Sequence, residues 1–194
     1  MASADVSRAV EVHLAAFPDF FLSFLGPRFL ALFYGEAIAL GEIALVADLD
    51  GSLAGLVMGS VQPGRFFKAL LRRRLVAFAL AAAPRVLRRP SSALRVARAL
   101  LKPSQAARGD GTATLMSLAV RPDAQGSGGG RALVLAFRDE AARRGARKVD
   151  LTTDKVGNAR VNAFYRSLGF VVAREIVTRE GRVLNEYELD LPGR

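Results

Sequence analysis

Apolar residues recur at three- and four-residue spacing over roughly residues 5–17 and 26–40, which predicts two amphipathic helices at the start of the chain. The pattern then changes period. "EIALVADLDGSLAGLVMGSV" carries two apolar runs around Asp50-Gly51, a strong β-hairpin signal. Further strands are predicted at "TATLMSLAV" (112–120), "RKVDLTTD" (147–154) and near 170–178 and 183–190, the last two joined by a turn at Glu180-Gly181. Helical spacing returns from the glycine-rich stretch at 126–130 to about Arg144, and again near 158–168, where Gly169 stops it. Helices and strands alternate too regularly for an all-α or all-β domain, so the reading is a mixed α/β sheet in one domain over 1–194.

One segment interrupts this order. Between Gly64 and Arg108 there are twelve Lys or Arg and no Asp or Glu, whereas the remainder holds sixteen basic and eighteen acidic residues. The net charge of +10 therefore belongs to this insertion. Its sequence reads as two or three helices broken at Pro84 and Pro90. Two readings of it are favoured, a solvated helical hairpin packed on the core or on a second subunit in a homodimer and a lid recruiting an anionic acceptor; behind them come a surface lying on anionic lipid with Phe66, Phe67 and Leu70 inserted and, last, a nucleic-acid contact.

Composition removes several chemistries. With no cysteine there is no thiol nucleophile, disulfide or thiolate metal site, and a single histidine, His13, argues against a His-based metal centre. The first residues lack the basic start and continuous apolar stretch of a secretory signal, and no apolar run approaches a membrane span, so a cytoplasmic location is expected.

"QGSGGGRALVLAF" (125–137) places four glycines between a predicted strand and a predicted helix. Such a loop aims backbone N–H groups and a helix N-terminus at an anion, and glycine permits both close approach and positive φ. It reads as a phosphate cradle. A dinucleotide fingerprint fails at Arg131 or Leu133, depending on where it starts, and a P-loop fails for want of Lys-Ser/Thr after the last glycine.

The run Val120 to Gly130, "VRPDAQGSGGG", resembles the acetyl-CoA signature of the GNAT superfamily of N-acetyltransferases, V-x-P-x-x-Q/R-G-x-G-x-G/A, at every defined position. "NARVNAFYRSLGF" (158–170) is similar to the family's second signature, an Asn seven residues before a Tyr with Gly-Phe following, although Val161 stands where Ala is frequent. The first strand that the family places ahead of the hairpin has little counterpart here. The resemblance implies a mostly antiparallel twisted sheet flanked by helices and acetyl-CoA as co-substrate. It implies pyrophosphate on the backbone of Gln125, Gly126, Ser127, Gly128, Gly129 and Gly130, with Arg131 opening the helix. Pantetheine would then lie along Leu118, Ala119 and Val120, with an N–H near Leu118 polarising the thioester and Asn158 as a further contact.

Tyr165 would protonate the leaving thiolate, which suits a phenol that is protonated at neutral pH. Tyr165 also fits a reading as a core aromatic beside Phe164, and Asn158 one as a helix N-cap. The acceptor is expected to be a small-molecule primary amine, an amino sugar among the candidates. Its deprotonation calls for a base, yet "LMSLAV" offers only Ser117 where many family members carry a carboxylate. His13 is the leading candidate and Asp19 the second, because the first helix and the loop after it usually line the acceptor site in this family; Phe17, Phe20 and Phe21 fit its walls equally as they fit a core. A reading of another class, a non-catalytic acyl-CoA sensor or a binding module tethered through the basic insertion, differs in predicting indifference to loss of the Tyr165 hydroxyl.

Overall fold

The computed structural model describes residues 1–18, 20–88 and 111–192. Asp19 and the second half of the basic insertion, with Pro90, lie outside the described residues. Six strands form one sheet: β1 (Ile43–Leu49), β2 (Ser52–Ser60), β3 (Thr112–Val120), β4 (Lys148–Asp154), β5 (Val171–Val177) and β6 (Val183–Asp190), in the order β1-β2-β3-β4-β6-β5. Every neighbouring pair is antiparallel except β3 and β4. Among the described residues no strand precedes β1, which forms one edge.

The helices are α1 (Val6–Ala16), α2 (Phe21–Leu25), α3 (Pro27–Ala39), α4 (Pro63–Arg88), α5 (Gly129–Arg143) and α6 (Ala159–Ser167). Asp50 and Gly51 both adopt positive φ, 52° and 76°, so the β1–β2 turn is the kind that matches the twist of a hairpin. β2 is buried on both faces from Leu53 to Ser60, which accounts for its unbroken apolar run. Leu56 and Met58 face α1–α4 with Leu30, Tyr34, Phe66 and Phe78, while Val57 faces α5 and α6 with Val134, Phe137, Val149 and Tyr187. Between these layers β3 carries a bulge: Met58 pairs with Ser117 and Gly59 with Leu115, leaving Met116 unmatched. A Cβ on Gly59 would lie 2.2 Å from the Thr114 carbonyl oxygen and 2.6 Å from the Phe137 ring, so only glycine fits there.

Two expectations for the insertion change. The helix runs through Pro84 and bends ten residues earlier, at Arg74 (φ −136°, ψ 18°). Pro84 costs the Leu80 carbonyl its donor, but both residues lie on the exposed side, where water replaces it. At the bend the side chains of Arg73 and Arg74 converge on buried Glu36 of α3, at 3.1 and 2.7 Å. Phe66 and Leu70, read from the sequence as residues free to enter lipid, are 1% and 4% exposed. Phe66 packs edge-to-face on Phe33 of α3, and past the bend Phe78 does the same with Phe29 at 4.7 Å.

Candidate active site

The sheet opens in its middle. β3 and β4 pair only through Thr112–Lys148, Ala113–Val149 and Thr114–Asp150, after which β4 continues with β6 and β3 with β2. Leu118, Ala119 and Val120 therefore lie on a stretch of β3 without a strand partner on the β4 side, an interior edge able to take an extended ligand as an added strand.

At the end of that edge the chain makes a short 3₁₀ turn (Pro122–Ala124) and enters the glycine loop. Gly126 and Gly128 have φ of +91° and +88°, a left-handed conformation that favours glycine, and a Cβ at either would meet open space, so backbone conformation rather than crowding selects them. Gly128 is the N-cap of α5 and the first helical bond runs from Ala132 N–H to its carbonyl, leaving Gly129, Gly130 and Arg131 with helix-start N–H groups. Among the described residues the Gly126 and Gly128 N–H groups also have no acceptor. The polar side chains serve the loop itself: Ser127 Oγ donates to the Ala124 carbonyl at 2.8 Å and Gln125 Nε2 to the Val120 carbonyl at 3.3 Å. Exposed Arg131 sits on the first turn. Such a set of backbone dipoles, at the end of an unpaired strand edge, is able to hold an anion.

Across the opening stands α6. Asn158 is its N-cap residue, yet its side chain does not cap; it donates from Nδ2 to Thr153 Oγ1 of β4 at 2.7 Å. Four residues on, Asn162 is the hub that sets this helix. Its Nδ2 donates to the carbonyls of Asp154 and Asn158, and its Oδ1 accepts from Asn185 Nδ2 and the Tyr187 hydroxyl, all at 2.7–2.9 Å and buried or nearly so. A fully satisfied buried amide fixes orientation as well as position. Tyr165, on the same helix, is 6% exposed and packed among Phe164, Phe170 and Tyr187. Burial raises its pKa above the ordinary phenol value, and among the described residues its hydroxyl has no hydrogen-bond partner. A protonated, unengaged O–H is what a proton donor needs.

His13 is 2% exposed. It reaches β3 through two side chains: Nδ1 lies 2.7 Å from the Tyr34 hydroxyl, and that hydroxyl lies 3.0 Å from Ser117 Oγ. Burial lowers the His13 pKa to about 4, so the imidazole is neutral at pH 7 and its ring carries one proton. Burial likewise raises the pKa of Tyr34, opposed by its bond to Ser117. His13 Nε2 is buried and has no hydrogen-bond partner among the described residues. Beyond α1, Phe17 packs on His13 and on half-exposed Phe20, and the Arg182 guanidinium lies 6.0 Å from the Phe20 ring centre while holding Asp154 at the end of β4 through both carboxylate oxygens. The loop after α1 and the β5–β6 turn thus meet over the open end of β4. Phe21 is half-buried against the N-terminal core.

The structure brings Leu118–Val120 and the glycine loop together on one edge, with Asn158 and Tyr165 on the facing helix. It sets His13 behind Ser117. Sequence reading missed Asn162, although its four-residue spacing from Asn158 puts both on one helix face. It also gave Tyr34 no role, because a contact across 21 residues leaves no local pattern.

A sequence model described as the acetyltransferase (GNAT) family matches residues 10–170. No curated protein sequence matches the chain. Among solved structures, the ribosomal-protein-alanine N-acetyltransferase of Brucella melitensis aligns with a TM-score of 0.65 at 17% identity, over 98% of this chain and 97% of that one. YncA of Salmonella typhimurium, solved with its cofactor acetyl-CoA, aligns at 0.62 and 20% identity over 100% and 92%. Aminoglycoside 6′-acetyltransferase type Ii aligns at 0.62 and 15% identity over 96% and 90%. At these identities the likeness is one of fold.

Proposed function

The chain belongs to the acetyltransferase (GNAT) family, and from that premise we propose that it transfers an acetyl group from acetyl-CoA directly to the primary amine of a small molecule, with amino sugars the first class to test. The observation that carries this reading is the glycine loop at the head of α5 opening onto the unpaired edge of β3. The residues suit the co-substrate: backbone N–H groups of Gly126 and of Gly128 to Arg131 for a pyrophosphate, a free strand edge at Leu118–Val120 for an extended amide-bearing arm, and the Asn158 side chain, held on β4 across the opening. Acetyl-CoA, when bound, supplies the activated acyl group.

The chain's own residues then orient it and handle protons. Tyr165 donates its hydroxyl proton to the departing sulfur, the raised pKa keeps that proton in place until it is needed, and the proton shed by the acylated nitrogen restores the phenol. His13 acts through Tyr34. With Nδ1 accepting from Tyr34 and Tyr34 accepting from Ser117, the lone pairs of Ser117 are left to accept an N–H of the acceptor amine, so His13, Tyr34 and Ser117 position the nucleophile where a carboxylate is missing. With no cysteine in the chain, no thiol-bound acyl intermediate forms.

Calorimetric titration with acetyl-CoA, wild type against Gly129→Glu, tests the reading. Gly129 has ordinary helical φ and room for a Cβ, so the substitution places a carboxylate in the cradle without backbone strain. Binding by the wild type that the variant loses supports the proposal and leads to an acceptor screen over amino sugars, aminoglycosides and peptide N-termini. Absence of wild-type binding refutes it.

A further inference from the structure

Beyond its bend, α4 has two apolar sides. Phe78 and Ala82 enter the core at 0% and 2% exposure. On the opposite side Val76, Leu80 and Leu87 are 71%, 69% and 79% exposed, and Leu75 at 45% borders them. Intervals of four and seven residues align the first three in one stripe. A helix already anchored by Phe78 gains nothing for the fold from a second apolar stripe in water, and an aligned exposed stripe marks a contact surface.

The flanking charge identifies the partner. Arg65, Lys68, Arg72 and Arg88 are exposed on this helix, and no acidic residue occurs anywhere from 64 to 108. Solvated helix surfaces ordinarily mix both signs. A second copy of the chain would oppose two arrays of like charge. Nucleic acid would satisfy the arginines and leave the leucines in water. A bilayer surface rich in anionic phospholipid matches both parts, with phosphates for the arginines and acyl chains for the aliphatic stripe.

We propose that α4 docks the protein on anionic phospholipid membranes through Val76, Leu80 and Leu87, with the surrounding arginines at the headgroups. The helix lies on the surface, since no helix among the described residues is long and apolar enough to cross a membrane. This inference is independent of the acetyl-transfer reading.

The test is co-sedimentation of the full chain with phosphatidylcholine vesicles, with and without phosphatidylglycerol, for wild type, Leu80→Asp and Leu87→Asp. Both positions are exposed, and a thermal melt checks that folding is kept. The proposal expects wild type to partition to the phosphatidylglycerol vesicles alone, and each aspartate to weaken that partition roughly tenfold or more. Three results overturn it: no binding to anionic vesicles, binding that both aspartates leave unchanged, which reduces the surface to a general cationic one, or a solution dimer that Leu80→Asp dissociates without any vesicle binding.

Discussion

Lowering the pH from 7 to 5 charges a solvated histidine, but the structure withholds the proton from His13. Its pKa falls from the ordinary 6.5 to about 4, and burial is the cause. Tyr34 is the titratable side chain facing it; β2 and β3, which pack on α1, contain none. The unfolded chain therefore binds a proton that the folded chain refuses between these two values, so stability falls as pH falls through that window and is fully present above about pH 6.5. The complete shift corresponds to about 3 kcal/mol, of which about 2 kcal/mol is lost by pH 5. For a chain of this size that lowers Tm by roughly 4–8 °C. Comparing urea unfolding of wild type with His13→Asn across the window isolates this contribution, because the carboxylates titrate in both proteins. The imidazole itself can be followed by NMR without assignment, since it is the one histidine in the chain. Parallel pH slopes for the two proteins, or an imidazole titrating near its solvated value, would refute the reasoning.

Tyr34→Phe removes the hydroxyl between His13 and Ser117 and leaves two buried groups unpaired. A loss of about 2–4 kcal/mol is expected in denaturant unfolding, with acetyl-CoA affinity unchanged and acetyl transfer slowed; adding His13→Leu restores part of the stability because both partners are then apolar. Tyr165→Phe should cut turnover by roughly 10²-fold or more while calorimetric acetyl-CoA binding persists, whereas a sensor would be indifferent. Gly59→Ala drives a methyl into the Thr114 carbonyl and Phe137, and a loss of about 3 kcal/mol or more is expected in a thermal melt; a wild-type melting curve would mean that β2 and β3 do not approach as described.

Much of the fold was legible because its signals are local. Asp50-Gly51 marked the hairpin through the φ values the turn requires, the glycines before Arg131 marked a strand-to-helix loop, and Gly169 marked the end of α6. The bend of α4 was not legible at Arg74, because the Glu36 carboxylate that it meets there lies 38 residues away, while the local breaker Pro84 sits on the exposed side of a continuous helix. The early parting of β3 and β4 likewise leaves no trace in either strand's own pattern, since it is a divergence between two strands separated by the glycine loop and α5. At the candidate site, the glycine loop between β3 and α5 could be read and the support behind it could not: Tyr34 and Asn162 act through partners that only the folded topology supplies.

The parting of β3 from β4 also bears on cooperativity. Three residue pairs join a half-sheet of β1–β3 to one of β4–β6, so the seam between them has few main-chain bonds to lose. Amides on the two sides should exchange with solvent as separate units, with α5 following the first half, on whose strands it chiefly packs. An extended molecule seated along Leu118–Val120 would supply the rungs the chain lacks. Occupancy of the site would then tie the two half-sheets together through main-chain bonds as well as through the core they share, and amide exchange along the seam would slow when the protein is loaded.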